Sequence, residues 1–171
     1  MDTLKAHIRS VPDFPRSGIL FYDITTLLRD ADGFRMALDA LTLPYRDQGI
    51  SLVVGIESRG FILGGAVADR LGAGFCPVRK PGKLPARTIR ESFQLEYGTD
   101  TLEIHEDAIE RGQRVLIVDD VLATGGTASA AARLVRRLGG DLHGLAFLIE
   151  LIALNGRAKV EGERVNSLLK Y

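Results

Sequence analysis

Tryptophan is absent from the 171 residues, cysteine occurs once, and charge of one sign is not in excess. A single cysteine, Cys76, leaves no intramolecular disulfide framework and no thiolate metal cluster. Lying in an apolar segment before Pro77, it reads as a small buried hydrophobe and not as a reactive thiol. The most apolar stretch, Leu145 to Leu154, is interrupted by Glu150 and is about half the ~20 residues a spanning helix needs, so it reads as core and no membrane is expected. Lys plus Arg and Asp plus Glu both total 22. With no net field to recruit nucleic acid or an anionic surface, any anion must be bound locally. Met1 to Ser10 has no long apolar run after its charges, which argues against a secretory leader and for a protein that stays in the cytoplasm. His7, His105 and His143 have no partner at metal-ligand spacing and are assigned to structure or surface.

Hydrophobic residues make up 46% of the chain and charged residues 26%, the balance of a globular protein. The length fits one domain over 1–171, since a chain of this size buries roughly 70% of its unfolded surface in a single core. Asp2 to Arg9 is expected to make one or two helical turns, and the Pro- and Gly-interrupted piece from Val11 to Ile24 an ordered loop. Phe34, Leu38, Leu41 and Tyr45 have helical spacing over Asp32 to Gln48, with Pro44 expected to kink or end the helix. Leu52 to Ile56 predicts a strand, Glu57 to Gly60 a turn and Phe61 to Leu71 a helix. Gly74 to Val78 predicts another strand. Arg79 to Arg87 is too basic and too rich in Pro and Gly for a regular element. Thr88 to Tyr97 and Thr101 to His105 read as a hairpin about Gly98. Arg114 to Asp119 predicts a buried strand, followed by a helix with Ala130, Leu134 and Leu138 on one face that Gly139 and Gly140 end. Leu142 to Ile149 and Val165 to Leu169 supply the last strands. Strands alternating with helices imply an α/β fold with a mainly parallel sheet.

The strongest motif runs Val115-Leu116-Ile117-Val118-Asp119-Asp120-Val121-Leu122-Ala123-Thr124-Gly125-Gly126-Thr127. A buried strand brings two carboxylates to its carboxyl edge, where open α/β sheets place ligands. A turn of small residues, Ala123 to Thr127, then leads into a helix. Gly125 and Gly126 let backbone amides close on an anion, Thr124 and Thr127 add hydroxyl donors, and the helix start adds partial positive charge, which together make a monophosphate cradle. Asp119 and Asp120 are acceptors suited either to the vicinal hydroxyls of a ribose or to a hydrated magnesium ion. The Gly-Lys-Ser/Thr triplet of the ATPase loop and the three spaced glycines of the dinucleotide fingerprint are both missing.

This motif resembles that of the type I phosphoribosyltransferases. Three further stretches narrow the resemblance to the adenine-specific members: Phe14 to Ile24, Ser58-Arg59-Gly60-Phe61, and Arg79 to Pro85 with Leu95-Glu96-Tyr97-Gly98. The resemblance implies a parallel sheet flanked by helices, a small N-terminal hood (about residues 1–30) over the base, and a flexible loop over the pyrophosphate. It implies transfer of phosphoribose from phosphoribosyl pyrophosphate to adenine, giving AMP and pyrophosphate, with Mg2+ carried by the substrate and touching Asp119 and Asp120 at most through water. Glu57, Ser58 and Arg59 match the family's pyrophosphate loop. Arg79, Lys80 and Lys83 match the basic segment, in which the residue at Arg79 reaches a partner subunit, so a homodimer is implied. Tyr97, with Asp119, Asp120 and Ala123 to Thr127, completes the phosphoribosyl-pyrophosphate set. Leu20, Phe21 and Tyr22 match the adenine-binding part of the hood, largely through main-chain groups and the Phe21 ring. Glu96 matches the carboxylate set against the imidazole edge of the purine, the catalytic proton shuttle. Another purine or orotate as acceptor, and a ligand-sensing module without catalysis, are the competing readings.

Overall fold

The computed structural model describes residues 2–94 and 98–171. Its centre is a five-stranded sheet in the order β4-β3-β7-β8-β9, every neighbouring pair parallel. The strands are β3 (Leu52–Ile56), β4 (Gly74–Val78), β7 (Arg114–Leu122), β8 (Asp141–Glu150) and β9 (Val165–Lys170). Parallel strands need crossovers, which α4 (Arg59–Leu71) and α5 (Gly126–Arg137) provide.

Strand periodicity divides the core into two layers. Val115 and Ile117 of β7 join Leu52, Val54 and Ile56 of β3 and, from α5, Ala128, Ala130 and Leu134. Leu116 and Val118 face the other way, with Leu63 and Val67 of α4 and Ala37, Leu38 and Leu41 of α3 (Ala31–Thr42). The helices therefore cover opposite faces, and β7 is buried on both sides, which is why its sequence is continuously apolar and not alternating. From β3 the chain crosses to β4 on one side, and from β7 it crosses to β8 on the other. The crevice between the carboxyl ends of β3 and β7 is thus a topological switch point.

Pro44 lies in a 3-10 turn, Leu43–Tyr45, and α3 ends before it at Thr42. At the other end, the Asp30 carboxylate accepts from the Gly33 N–H at 2.7 Å and caps the helix. The hairpin expected about Gly98 forms from β5 (Thr88–Gln94) and β6 (Thr99–His105), paired antiparallel.

Two expectations change. The Val11–Ile24 stretch is not simply a loop: β1 (Arg9–Pro12) and β2 (Leu20–Asp23) pair antiparallel within it, and only α1 (Asp2–Ala6) of the preceding segment is helical. Pro12 sits at the end of an edge strand, where its missing donor costs no ladder bond, and the Arg9–Asp23 ion pair closes the open end at 2.5 Å. The central strand also runs past Asp119 to Leu122, so both carboxylates are part of the sheet. Pairing with β8 continues to Leu122↔Glu150, because partner backbone is available there, a fact that local sequence does not carry.

Candidate active site

At the switch point lies a cleft of about 300 Å³ lined by Glu57, Ser58, Arg59 and Lys80 on one side and Asp119, Asp120 and Thr127 on the other. A smaller hollow of about 70 Å³ adjoins it, formed by Ala123, Thr124, Gly125 and Thr127 with Asp119 beside them. Segments far apart in sequence meet here because β3 and β7 are neighbours, with Val54 opposite Ile117.

Both aspartates are almost inaccessible, Asp119 at 9% and Asp120 at 6% exposure. Burial pushes the Asp119 carboxyl well above the usual aspartate range, and the Asp120 carboxylate beside it adds to the rise. Against this, Asp119 Oδ1 accepts from the Asp120 N–H at 2.9 Å and Arg59 contributes its positive charge. Arg59 forms an ion pair with Asp120 directly. The approach is close: a Cβ on Gly60 would lie 2.7 Å from Asp119 Oδ1, so only glycine lets the start of α4 come this near the carboxylate.

The 123–127 turn, expected from sequence to cradle a phosphate, is shaped by glycine in the same way. Gly125 has φ +77°, in the left-handed region, and precedes the first residue of α5. Directly behind it runs the backbone of Gly156; a Cβ on Gly125 would meet Gly156 O at 2.2 Å.

The basic segment is anchored by carboxylates. Glu57 Oε2 accepts from Arg79 Nε and from the Lys80 N–H, both at 3.1 Å, and Glu57 is ion-paired with Lys83. Desolvation would raise the Glu57 carboxyl, but these contacts outweigh it and hold it below the usual glutamate range. Lys80 also pairs with Asp100. Arg79 exchanges both backbone hydrogen bonds with Glu103, at 3.0 and 2.7 Å, and the Gly82 N–H donates to Glu103 Oε2 at 3.0 Å. The peptide between Glu57 and Ser58 is cis.

The hood reaches the same place. The Arg59 guanidinium lies over the Phe21 ring, 5.6 Å from its centroid, and Phe14 packs edge-on against Phe21 at 5.1 Å. Leu20 is about half exposed. The Tyr22 ring instead packs against Tyr171, with centroids 3.9 Å apart, as strand alternation requires of neighbours in β2.

Of the residues expected from sequence, Glu57, Ser58, Arg59, Lys80, Asp119, Asp120 and Thr127 line one cleft, with Ala123, Thr124 and Gly125 in the adjoining hollow. Arg79 and Lys83 join through Glu57, and Phe21 through Arg59. Glu96 and Tyr97 lie outside the described residues. Sequence reasoning missed Asp100, Glu103 and Gly156. The two acids could have been suspected only as charges on a strand that follows a basic segment; nothing local marks Gly156. Among the described residues no group of three or more His, Cys, Asp or Glu is arranged to hold a metal.

A family model, the phosphoribosyl transferase domain, matches residues 33–164. The chain belongs to the phosphoribosyltransferase family. Adenine phosphoribosyltransferase from Acidobacterium capsulatum is 61% identical over 170 residues, which is 99% of this chain and 94% of that protein. The crystal structure of adenine phosphoribosyltransferase from Rhodothermus marinus superposes with a TM-score of 0.95 at 58% identity, covering 99% of this chain and 97% of that one. The Saccharomyces cerevisiae enzyme, solved with adenine and an imino-altritol bisphosphate, gives 0.92 at 41% identity over 97% and 96% of the two chains. The helix-flanked parallel sheet is thus that of the type I phosphoribosyltransferases, and the hairpin within residues 9–23 forms a separate two-stranded sheet.

The buried pair has a consequence for stability in this phosphoribosyltransferase. An acid whose folded pKa is raised stabilises the fold at low pH, where it is protonated, and loses that contribution as pH climbs from the unfolded value through the folded one. Asp119→Asn cannot ionise, so it is expected to raise Tm relative to the parent at pH 7 to 8, with the difference shrinking toward pH 4. Thermal melts across that range check both the sign and the trend.

Proposed function

We propose that this phosphoribosyltransferase uses adenine as its acceptor, transferring the 5-phosphoribosyl group of phosphoribosyl pyrophosphate to give AMP and pyrophosphate, a purine-salvage reaction. The observation that carries the reading is the junction of a phosphate cradle, a carboxylate pair and a hood aromatic at one switch-point crevice, linked by the contacts of Arg59 to Asp120 and Phe21. That the relatives at 61% and 58% identity are adenine phosphoribosyltransferases supports the choice of base.

Each part has a task. The hollow over Ala123 to Thr127 accepts the 5-phosphate on backbone N–H groups, the two threonine hydroxyls and the start of α5. Asp119 and Asp120 accept hydrogen bonds from the ribose hydroxyls. As the C1–oxygen bond to pyrophosphate breaks, positive charge grows on the ribose and negative charge on the leaving group. Arg59, Lys83 and Arg79 neutralise the latter, and the carboxylates below the ribose stabilise the former. Adenine N9 forms the new bond to C1, and its proton passes to Glu96. Phe21 covers the base, whose edge is read by the main chain of Leu20 to Tyr22. Tyr97 and Lys80 extend the phosphate-binding set.

Glu57 acts on the other cations. Its carboxylate cannot attract a diphosphate itself, but it holds Arg79 and Lys83 together, so a diphosphate exchanges partners with it.

Mg2+ fits as a companion of the substrate. It keeps several waters and takes few protein ligands, which suits a cleft where no group of three or more acids among the described residues is arranged to hold a metal. Bound there, it would neutralise diphosphate charge, with Asp119 and Asp120 accepting from its waters. A homodimer in the cytoplasm, with Arg79 extended toward the partner's site, completes the proposal; no helix among the described residues is long and apolar enough to cross a membrane.

Incubation with phosphoribosyl pyrophosphate, Mg2+ and each base in turn is expected to give AMP from adenine. Faster turnover of hypoxanthine, guanine, xanthine or orotate would contradict the assignment, and no turnover with any base would favour a sensing role. Glu96→Gln retains the size of the side chain but cannot carry the proton, so the single-turnover rate is expected to fall by about 10² to 10⁴ with little change in substrate affinity. A parental single-turnover rate would remove Glu96 from the chemistry.

A further inference from the structure

The phosphate cradle has no rigid backing of its own. Residues 123–125 form a turn of small side chains between β7 and α5, yet a backbone anion site must hold its amides to within about 0.5 Å to be effective. Behind the turn runs a second segment, the two 3-10 turns Ile152–Leu154 and Gly156–Val160, which follow β8.

The two segments start level with each other. Leu122, just before the cradle, is the register partner of Glu150, just before the second segment, and the Leu151 N–H donates to Leu122 O at 2.9 Å. They then meet backbone to backbone. A Cβ on Gly156 would lie 2.2 Å from Ala123 O and 3.0 Å from Gly125 N, and one on Gly125 would lie 2.2 Å from Gly156 O. Neither neighbour is a flexible side-chain end, so any side chain at 156 must displace the cradle itself.

The second segment is itself locked. Arg157 grips Glu150 with two hydrogen bonds, Nε to Oε1 at 2.6 Å and Nη2 to Oε2 at 2.8 Å, and donates from Nη1 to Val165 O at 3.2 Å. Glu150 is only 6% exposed. The paired, bidentate geometry is the strong form of this contact. Three residues on, Val160 is buried in the same apolar cluster as Ala128 and Ala132 of α5. Arg157 thereby ties the ends of β8 and β9 together, with Gly156 held against Ala123 and Gly125.

We propose that Gly156 and the Glu150–Arg157 pair are positioning residues for the 5-phosphate: they form a buttress that fixes the Ala123–Gly125 backbone from behind, without touching the substrate. The proposal rests on the functional reading above, and it predicts a split between the two ends of the substrate. Ligands bearing a ribose 5-phosphate should depend on the buttress, whereas pyrophosphate, held by the segments after β3 and β4, should not.

Calorimetric titration with AMP and, separately, with magnesium pyrophosphate reads this split. Gly156→Ala and Arg157→Met are expected to weaken AMP about 10- to 100-fold, the range a misplacement near 1 Å produces, with pyrophosphate affinity within about twofold of the parent. Arg157→Lys keeps charge but loses the two-point grip and should fall between them. Melting curves identify any variant that has not folded, and the Arg157 pair stands if Gly156→Ala does not. Parental AMP affinity in the folded variants overturns the buttress, as does an equal loss of AMP and pyrophosphate binding. A parent chain that binds neither ligand overturns the functional reading and the buttress with it, whereas weakening of AMP by Thr127→Val alone leaves the reading intact and overturns only the buttress.

Discussion

Two adjacent carboxylates on a strand buried from both faces set the terms for the surrounding structure. Asp119 and Asp120 are held where water reaches them poorly, and like charges so close cannot both ionise cheaply. Arg59, delivered by the turn after β3, is the group that offsets them. Its position requires β3 and β7 to be neighbours and Gly60 to lack a side chain. The same guanidinium carries the hood's Phe21 on its face, so one cation joins the parts that would hold ribose, leaving group and base. Burying a carboxylate pair in this way costs stability, the usual exchange of stability for a preorganised site.

Counter-charge is a recurring device. Arg79 and Lys83 share Glu57, Lys80 has Asp100, and Arg59 has Asp120. The cations of this crevice are thus neutralised within the chain, which agrees with the net charge of zero. On the proposed reading the arrangement would favour release as well as capture, since departing pyrophosphate would leave cations that already have partners.

How much was legible in sequence follows from how local each feature is. The run from Val115 to Thr127 encodes strand, carboxylates, turn and helix start in consecutive residues, so periodicity and turn chemistry suffice to read it. Pro44 stops α3 through its own ring, and Gly139 follows the end of α5 with a left-handed φ of +85° that glycine tolerates. The β1–β2 hairpin was hidden because Pro12, Pro15 and Gly18 imitate a loop, while its pairing depends on Arg9 meeting Asp23. Nothing within Asp120 to Leu122 reveals that β8 is present to extend the strand. Gly156 is the extreme case: its significance lies in contact with a turn about thirty residues earlier in the chain. Glu150 was visible as a charge interrupting an apolar run, and its buried pairing with Arg157 gives that interruption a cause. The roles of Glu96 and Tyr97 came from resemblance alone.

On the proposed reading, the crevice between β3 and β7 binds a phosphoribosyl group with its phosphate on the 123–127 turn and its hydroxyls on Asp119 and Asp120. A crystal structure of the chain with AMP tests this most directly. Phosphate oxygens are expected within about 3.2 Å of backbone nitrogens in the turn, the ribose hydroxyls on the two aspartates, and the purine against Phe21. AMP seated elsewhere, or with its phosphate on Arg79 and Lys83 and the turn empty, would contradict it.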